Sequence, residues 1–151
     1  MDKFLRVCGI IFLSLIGLGI VLGAIFIPRA LILSSGATSY INRELPKIAE
    51  RWDVDEFFKS SVPEMATLQP REQVDLLWKK FRLLGKLKSH DDPVGQVVSQ
   101  AYSNGPTGTF GVYNVHSYFE NGTADVKITL KRVGDDWKLY GFRINSDLFL
   151  K

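Results

Sequence analysis

FENGTADVKITLKRVGDDWKLYGFRINS, residues 119–146, decides how this chain folds. Ala124, Val126, Ile128 and Leu130 alternate with Asp125, Lys127, Thr129 and Lys131. A period of two with one apolar and one polar face is the pattern of a half-buried antiparallel strand. Asn121-Gly122 precedes this strand and predicts a tight hairpin, because both residue types tolerate positive φ. Gly134-Asp135-Asp136 predicts the next turn. WKLYGFRINS, 137–146, then reads as the last strand of a meander. Strict alternation places Trp137 and Leu139 on the core face, together with Arg143 and Asn145. It places Tyr140, Phe142 and Ile144 on the opposite face, where three large apolar residues would need a cover.

Upstream, GQVVSQAYS and TFGVYNVHSYFE read as two further strands, and the period then changes. In TSYINRELPKIAERW and the alanine before it, Ala37, Ile41, Leu45, Ile48 and Trp52 recur at helical spacing. Pro46 interrupts that stripe and predicts a kink or break. Asp53 is placed to cap a short helix, with Glu56 three residues on. SVPEM reads as a loop or one helical turn. PREQVDLLWKKFRLLG predicts a third helix with its stripe at Val74, Leu77, Trp78, Phe81 and Leu84, closed by Gly85. The expected fold is α+β: about three helices packed on a curved antiparallel sheet of about four strands.

The N-terminus has a different chemistry. Val7 to Ile27 is 21 residues without a charge, flanked by Lys3 and Arg6 before and Arg29 after. A helix of that length spans roughly 30 Å, the thickness of a bilayer core. It is longer than the apolar region of a cleaved signal peptide and lacks a well-placed cleavage site, so we expect an uncleaved signal anchor. The basic tail favours a cytoplasmic N-terminus. The expected organisation is a tail and transmembrane anchor over 1–29, a juxtamembrane linker over 30–36 and an extracytoplasmic domain over 37–151. Gly19 and Gly23 form a small-xxx-small pair that can bring two such helices together.

Without Lys3, Arg6, Arg29 and Asp2, the chain carries 16 basic and 15 acidic residues. That balance gives no electrostatic footprint for nucleic acid. The single cysteine, Cys8, excludes an intramolecular disulfide and a thiolate metal site. No phosphate loop, nucleophile elbow or zinc-protease motif is present, so no catalytic residue, metal or cofactor is expected. Three residues stand as ligand-binding candidates. His116 is of the residue type that most often serves as a base, Tyr113 lies three residues before it, and Arg143 suits an anionic ligand. Tyr113 and His116 are expected on opposite strand faces. His90, in SHDDP, reads as a solvated turn. The cluster Lys79, Lys80, Arg82, Lys86 and Lys88 complements a helix C-terminus or anionic headgroups.

RWDVDEFFKSSVPEM, FRLLGKLKS and YFENGTADVKITLKRVGDDWKLYGFRINS together resemble small bacterial membrane-anchored or exported proteins of the cystatin-like or nuclear-transport-factor-2-like superfold. The resemblance implies helices packed into a curved sheet and carries no activity or functional residues. It also implies a bacterial envelope protein; with the anchor and its basic tail, the expected location is the inner membrane, with the domain in the periplasm. The expected function is a non-catalytic protein-interaction or assembly module, with Tyr140, Phe142 and Ile144 as the interaction surface. Its partners would be the membrane and a protein or a second copy. A ligand or enzymatic pocket of the same superfold is the alternative.

Overall fold

In the computed structural model, residues 34–100 and 107–150 are described. They belong to one compact unit, Ser34–Lys151. The expected span Val7–Ile27, including Gly19 and Gly23, lies outside the described residues, as do 101–103 of the first expected strand. Among the described residues, no helix is long and apolar enough to cross a membrane.

The first described element is a helix, α1, over 34–51. Its predicted stripe is real: Ala37, Ile41, Leu45, Ile48 and Trp52 are all buried. The helix runs through Pro46 without a break, one of the two outcomes expected there. Proline removes one backbone donor, but Leu45, Ile48 and Ala49 on either side are all buried, and packing outweighs the missing bond. What ends α1 is Trp52, a non-glycine residue at φ 50°. That backbone costs about 1 kcal/mol. It is offset where the indole Nε1–H donates to the Gly85 carbonyl at 3.0 Å and the ring stacks on Phe119 at 5.7 Å.

α2 (Val54–Ser60) starts at Asp53, whose carboxylate accepts from the Asp55 N–H at 2.8 Å. SVPEM, read as a loop or one helical turn, is a turn that leads into α3 (Met65–Leu68). α4 (Arg71–Phe81) follows Pro70 and tightens into a 3-10 turn, Arg82–Leu84. Gly85 ends it at φ 77°, where a Cβ would meet Glu120 at 2.7 Å.

Five strands make one antiparallel sheet: β1 (Leu87–His90), β2 (Val94–Gln100), β3 (Gly108–Phe119), β4 (Thr123–Val133) and β5 (Asp136–Asn145). β1 pairs with the end of β3 and β2 with its beginning, so the two lie in succession along the same side of β3. His90 therefore ends a strand and does not sit in a free turn. The α+β expectation holds, with one more strand than the sequence suggested.

The β3–β4 turn is centred one residue earlier than expected. Tyr118 pairs with Thr123 and the Phe119 N–H donates to Gly122 O, so Glu120 and Asn121 occupy the corner. Neither Asn121 nor Gly122 has positive φ. Asn121 instead docks the turn on the end of α4, donating from its side chain to Leu83 O at 2.9 Å. A Cβ on Gly122 would press on the Leu148 side chain, 3.0 Å from its Cδ1. The β4–β5 turn does use positive φ, at Gly134 (62°).

β5 contains the decisive irregularity. Thr129 pairs with Gly141, but Leu130 pairs with Leu139. Tyr140 is the extra residue of a β-bulge, and the bulge resets the alternation. Phe142 and Ile144 therefore return to the core face, opposite Ile128 and Val126. Phe142 lies 5.8 Å from Trp78 and 6.1 Å from Phe57, ring centre to ring centre. Arg143 is exposed on the outer face. The expected orientation of the whole second half of this strand is thus reversed.

The core lies between the helices and the inner sheet face. Trp78 is its centre, with Phe57, Phe81, Phe142 and Trp52 within 4.7–6.3 Å. Ala37 and Gly36 let α1 approach the sheet closely, against Gly111 and Trp137. Trp137 and Leu139 close the sheet beneath the helices, as the alternation predicted.

Candidate functional site

The three ligand candidates do not converge. Tyr113 is buried on the core face, with its hydroxyl 3.3 Å from Ser34 Oγ. His116 and Arg143 are exposed on the outer face. His116 Nδ1 lies 2.7 Å from Asp125 Oδ1, its direct cross-strand partner, and its ring meets Tyr118 edge-on at 5.1 Å. The imidazole and carboxylate are 42% and 67% exposed. A base–orienter pair needs a nucleophile or a substrate held away from water, and this pair lies open on a flat strand surface. It reads as a cross-strand contact.

A more enclosed polar site was not legible in the sequence. A cleft of about 210 Å³ lies between α1, α2 and β5, lined by Tyr40, Arg43, Glu44, Lys47, Ser60 and Lys138 among others. Glu44 forms its floor, 8% exposed. Its carboxylate accepts from Arg43 Nε at 2.7 Å, Lys47 Nζ at 3.2 Å and Ser60 Oγ at 3.1 Å. Burial pushes this carboxyl up, but the three hydrogen bonds and the Lys47 charge outweigh it, and the net shift is downward. Burial, with Glu44 nearby, pushes the Tyr40 hydroxyl up to about 12. It stays a neutral donor to Ser60 O at 2.6 Å. A general base needs the opposite tuning, a carboxylate raised toward neutrality. This network fastens α1 to α2.

The sign of its pH dependence follows. A carboxyl depressed in the folded state contributes stability above its unfolded pKa, near 4.5, and loses it as pH falls through the folded value. Glu44→Gln is expected to cost about 2 kcal/mol at pH 7. In urea titrations the gap from wild type should close progressively below about pH 4.5. A gap independent of pH would show that the charge is immaterial.

The two edges of the sheet differ. β5 is shielded: Ser61 bridges to Leu139, the Val62 N–H donates to Leu139 O at 2.8 Å, and Tyr140 bulges. It also carries Lys138 and Arg143. Lysines, bulges and covering loops are the means by which sheets blunt an edge. β2 has none of these within its length. VGQVVSQ is seven residues without a charge, and Val94 is 74% exposed. Among the described residues nothing pairs with its far side. A strand so placed offers a row of unpaired N–H and C=O groups. Pro93, just before it, was the available sign of an edge. Gly95 holds it against β3: a Cβ there would fall 2.0 Å from the Val112 carbonyl oxygen.

The outer face beside β2 is not wholly wet. Phe110 is buried there against Tyr140 at 5.2 Å, and Lys131 Nζ lies over the Tyr140 ring at 5.6 Å. Among the described residues, no group of His, Cys, Asp and Glu could hold a metal ion. Compared with known proteins, the chain matches no described family, no curated protein and no solved structure.

Proposed function

We propose that this protein is a single-pass, membrane-anchored interaction module of the bacterial envelope that assembles by strand addition at β2. The uncharged edge of that strand, unpaired among the described residues, carries the reading. Strand addition draws affinity from main-chain hydrogen bonds and selectivity from alternate side chains. The partner we favour is a second copy of β2, since VGQVVSQ contains no charge to repel itself. The 21-residue apolar run Val7–Ile27 supports the anchor. The cystatin-like or nuclear-transport-factor-2-like reading accords with helices lying on one face of an antiparallel sheet.

The test is the mass of the full-length protein in mild detergent. A dimer is expected for the wild type. Gln96→Lys with Ser99→Lys should give a monomer, because both positions are exposed and lysine on an edge opposes pairing. A wild-type monomer, or a dimer indifferent to the two lysines, would remove strand addition between copies.

A further inference from the structure

We propose that the outward side of α4 and the turn after it form a docking surface for anionic phospholipid. Val74, Trp78 and Phe81 take the inner side of this helix. The outer side ought to be polar throughout. Instead Leu76 is 65% exposed and Leu83, seven residues on, is 58% exposed. Positions i and i+7 share a helix face. Lys79 and Lys80 fall between the two leucines on that face. Phe149 of the C-terminal 3-10 turn, Asp147–Leu150, packs on Phe81 at 5.9 Å and lies under Lys80 Nζ at 5.0 Å. This brings Leu150, 84% exposed, beside the last turn of α4.

Basic residues dominate this side toward the end of α4 and beyond it. Lys79, Lys80, Arg82, Lys86 and Lys88 follow one another through the end of α4 and into β1. Among the described residues, none of these side chains is in an ion pair. Arg82 is committed elsewhere, donating to Trp52 O at 3.3 Å. The nearby acids are Glu72 and Asp75 toward the start of α4, and Glu120, which accepts from the Lys86 backbone N–H. Exposed leucines ringed by lysines match a lipid surface. The leucines enter the acyl boundary, while the long lysine stems lie along it and keep their ammonium groups at the phosphates. An acidic protein surface would match the charge but leave the leucines without a partner.

This surface is separate from β2, so it stands whether or not strand addition does. The anchor reading adds to it, because a chain held at a bilayer presents the surface at high effective concentration. The test uses the full chain carrying Leu83→Cys in a Cys8→Ser background, labelled with an environment-sensitive fluorophore. It is mixed with vesicles of phosphatidylcholine alone or with about one-third phosphatidylglycerol. Emission should move to shorter wavelength only with the anionic lipid, and high salt should reverse it. Lys79→Glu with Lys80→Glu should weaken the response more than about tenfold. A label at Lys127, on the outer sheet face, should stay in water. Unchanged emission at Leu83, or an equal shift at Lys127, would overturn the proposal. Vesicle flotation reports insertion of the apolar segment independently, so failure of the anchor and failure of the docking surface give different results.

Discussion

Phe142→Asp is expected to unfold the domain, and Arg143→Asp one residue on is expected to leave it intact. Phe142 packs between Phe57 and Trp78, and its strand partner is the buried Ile128. Phe142 is half-buried, so removing its ring is expected to cost about 3 kcal/mol, the lower end for a buried phenylalanine. A carboxylate left there adds the penalty of an unpaired charge against apolar rings. Against a total stability of about 5–15 kcal/mol, that is enough to lose the fold at room temperature. Arg143 points to solvent and has no ion-pair partner among the described residues, so its reversal should change stability by no more than about 0.5 kcal/mol. Urea unfolding followed by tryptophan fluorescence reports both variants, since Trp78 lies beside Phe142. Equal behaviour of the two would mean that Tyr140 is not bulged out of register. The strict-alternation reading predicts the reverse order of effects, so one experiment separates the two registers.

The second large effect is expected at Gly95. Gly95→Val cannot be accommodated by rotating a side chain, because its Cβ would meet the Val112 carbonyl at 2.0 Å and Tyr113 Cα at 2.7 Å. Backbone must move, and the piece free to move is β2, paired on one side only among the described residues. The variant should lose protection from hydrogen exchange along Val94–Gln100 and across Gly108–Asn114, its partner segment. β4, β5 and the helical core should stay protected, since the Trp78 cluster makes no use of β2. The same variant should be monomeric if β2 carries assembly. Full retention of β2 protection would show that β3 yields instead.

Much of this fold was legible because one-residue periodicities are local. Alternation from Ala124 to Lys131 gave β4 and its buried face correctly. The four-and-three spacing gave α1 and α4, and the tolerance of glycine for positive φ gave Gly85 and Gly134 as stops. The candidate site was far less legible. Tyr113 and His116 were correctly set on opposite faces, yet nothing nearby in sequence joins Glu44 to Ser60, or marks β2 as an edge beyond Pro93. Gly141, a glycine inside a strand, was the one local sign that the register of β5 changes.

The sequence by itself therefore determined the elements, their inner faces up to the first irregularity, and an apolar run long enough to span a bilayer. Only the tertiary structure decided which half of β5 faces inward and, among the described residues, which strand has an unpaired side and which leucines of α4 and the turn after it are exposed. The reason is physical. Period and capping are set by neighbours a few residues away, whereas a bulge is fixed by how two strands must twist to keep Phe142 under Trp78. Whether a strand is paired on both sides likewise depends on chain distant in sequence, and a strand's own residues do not record it.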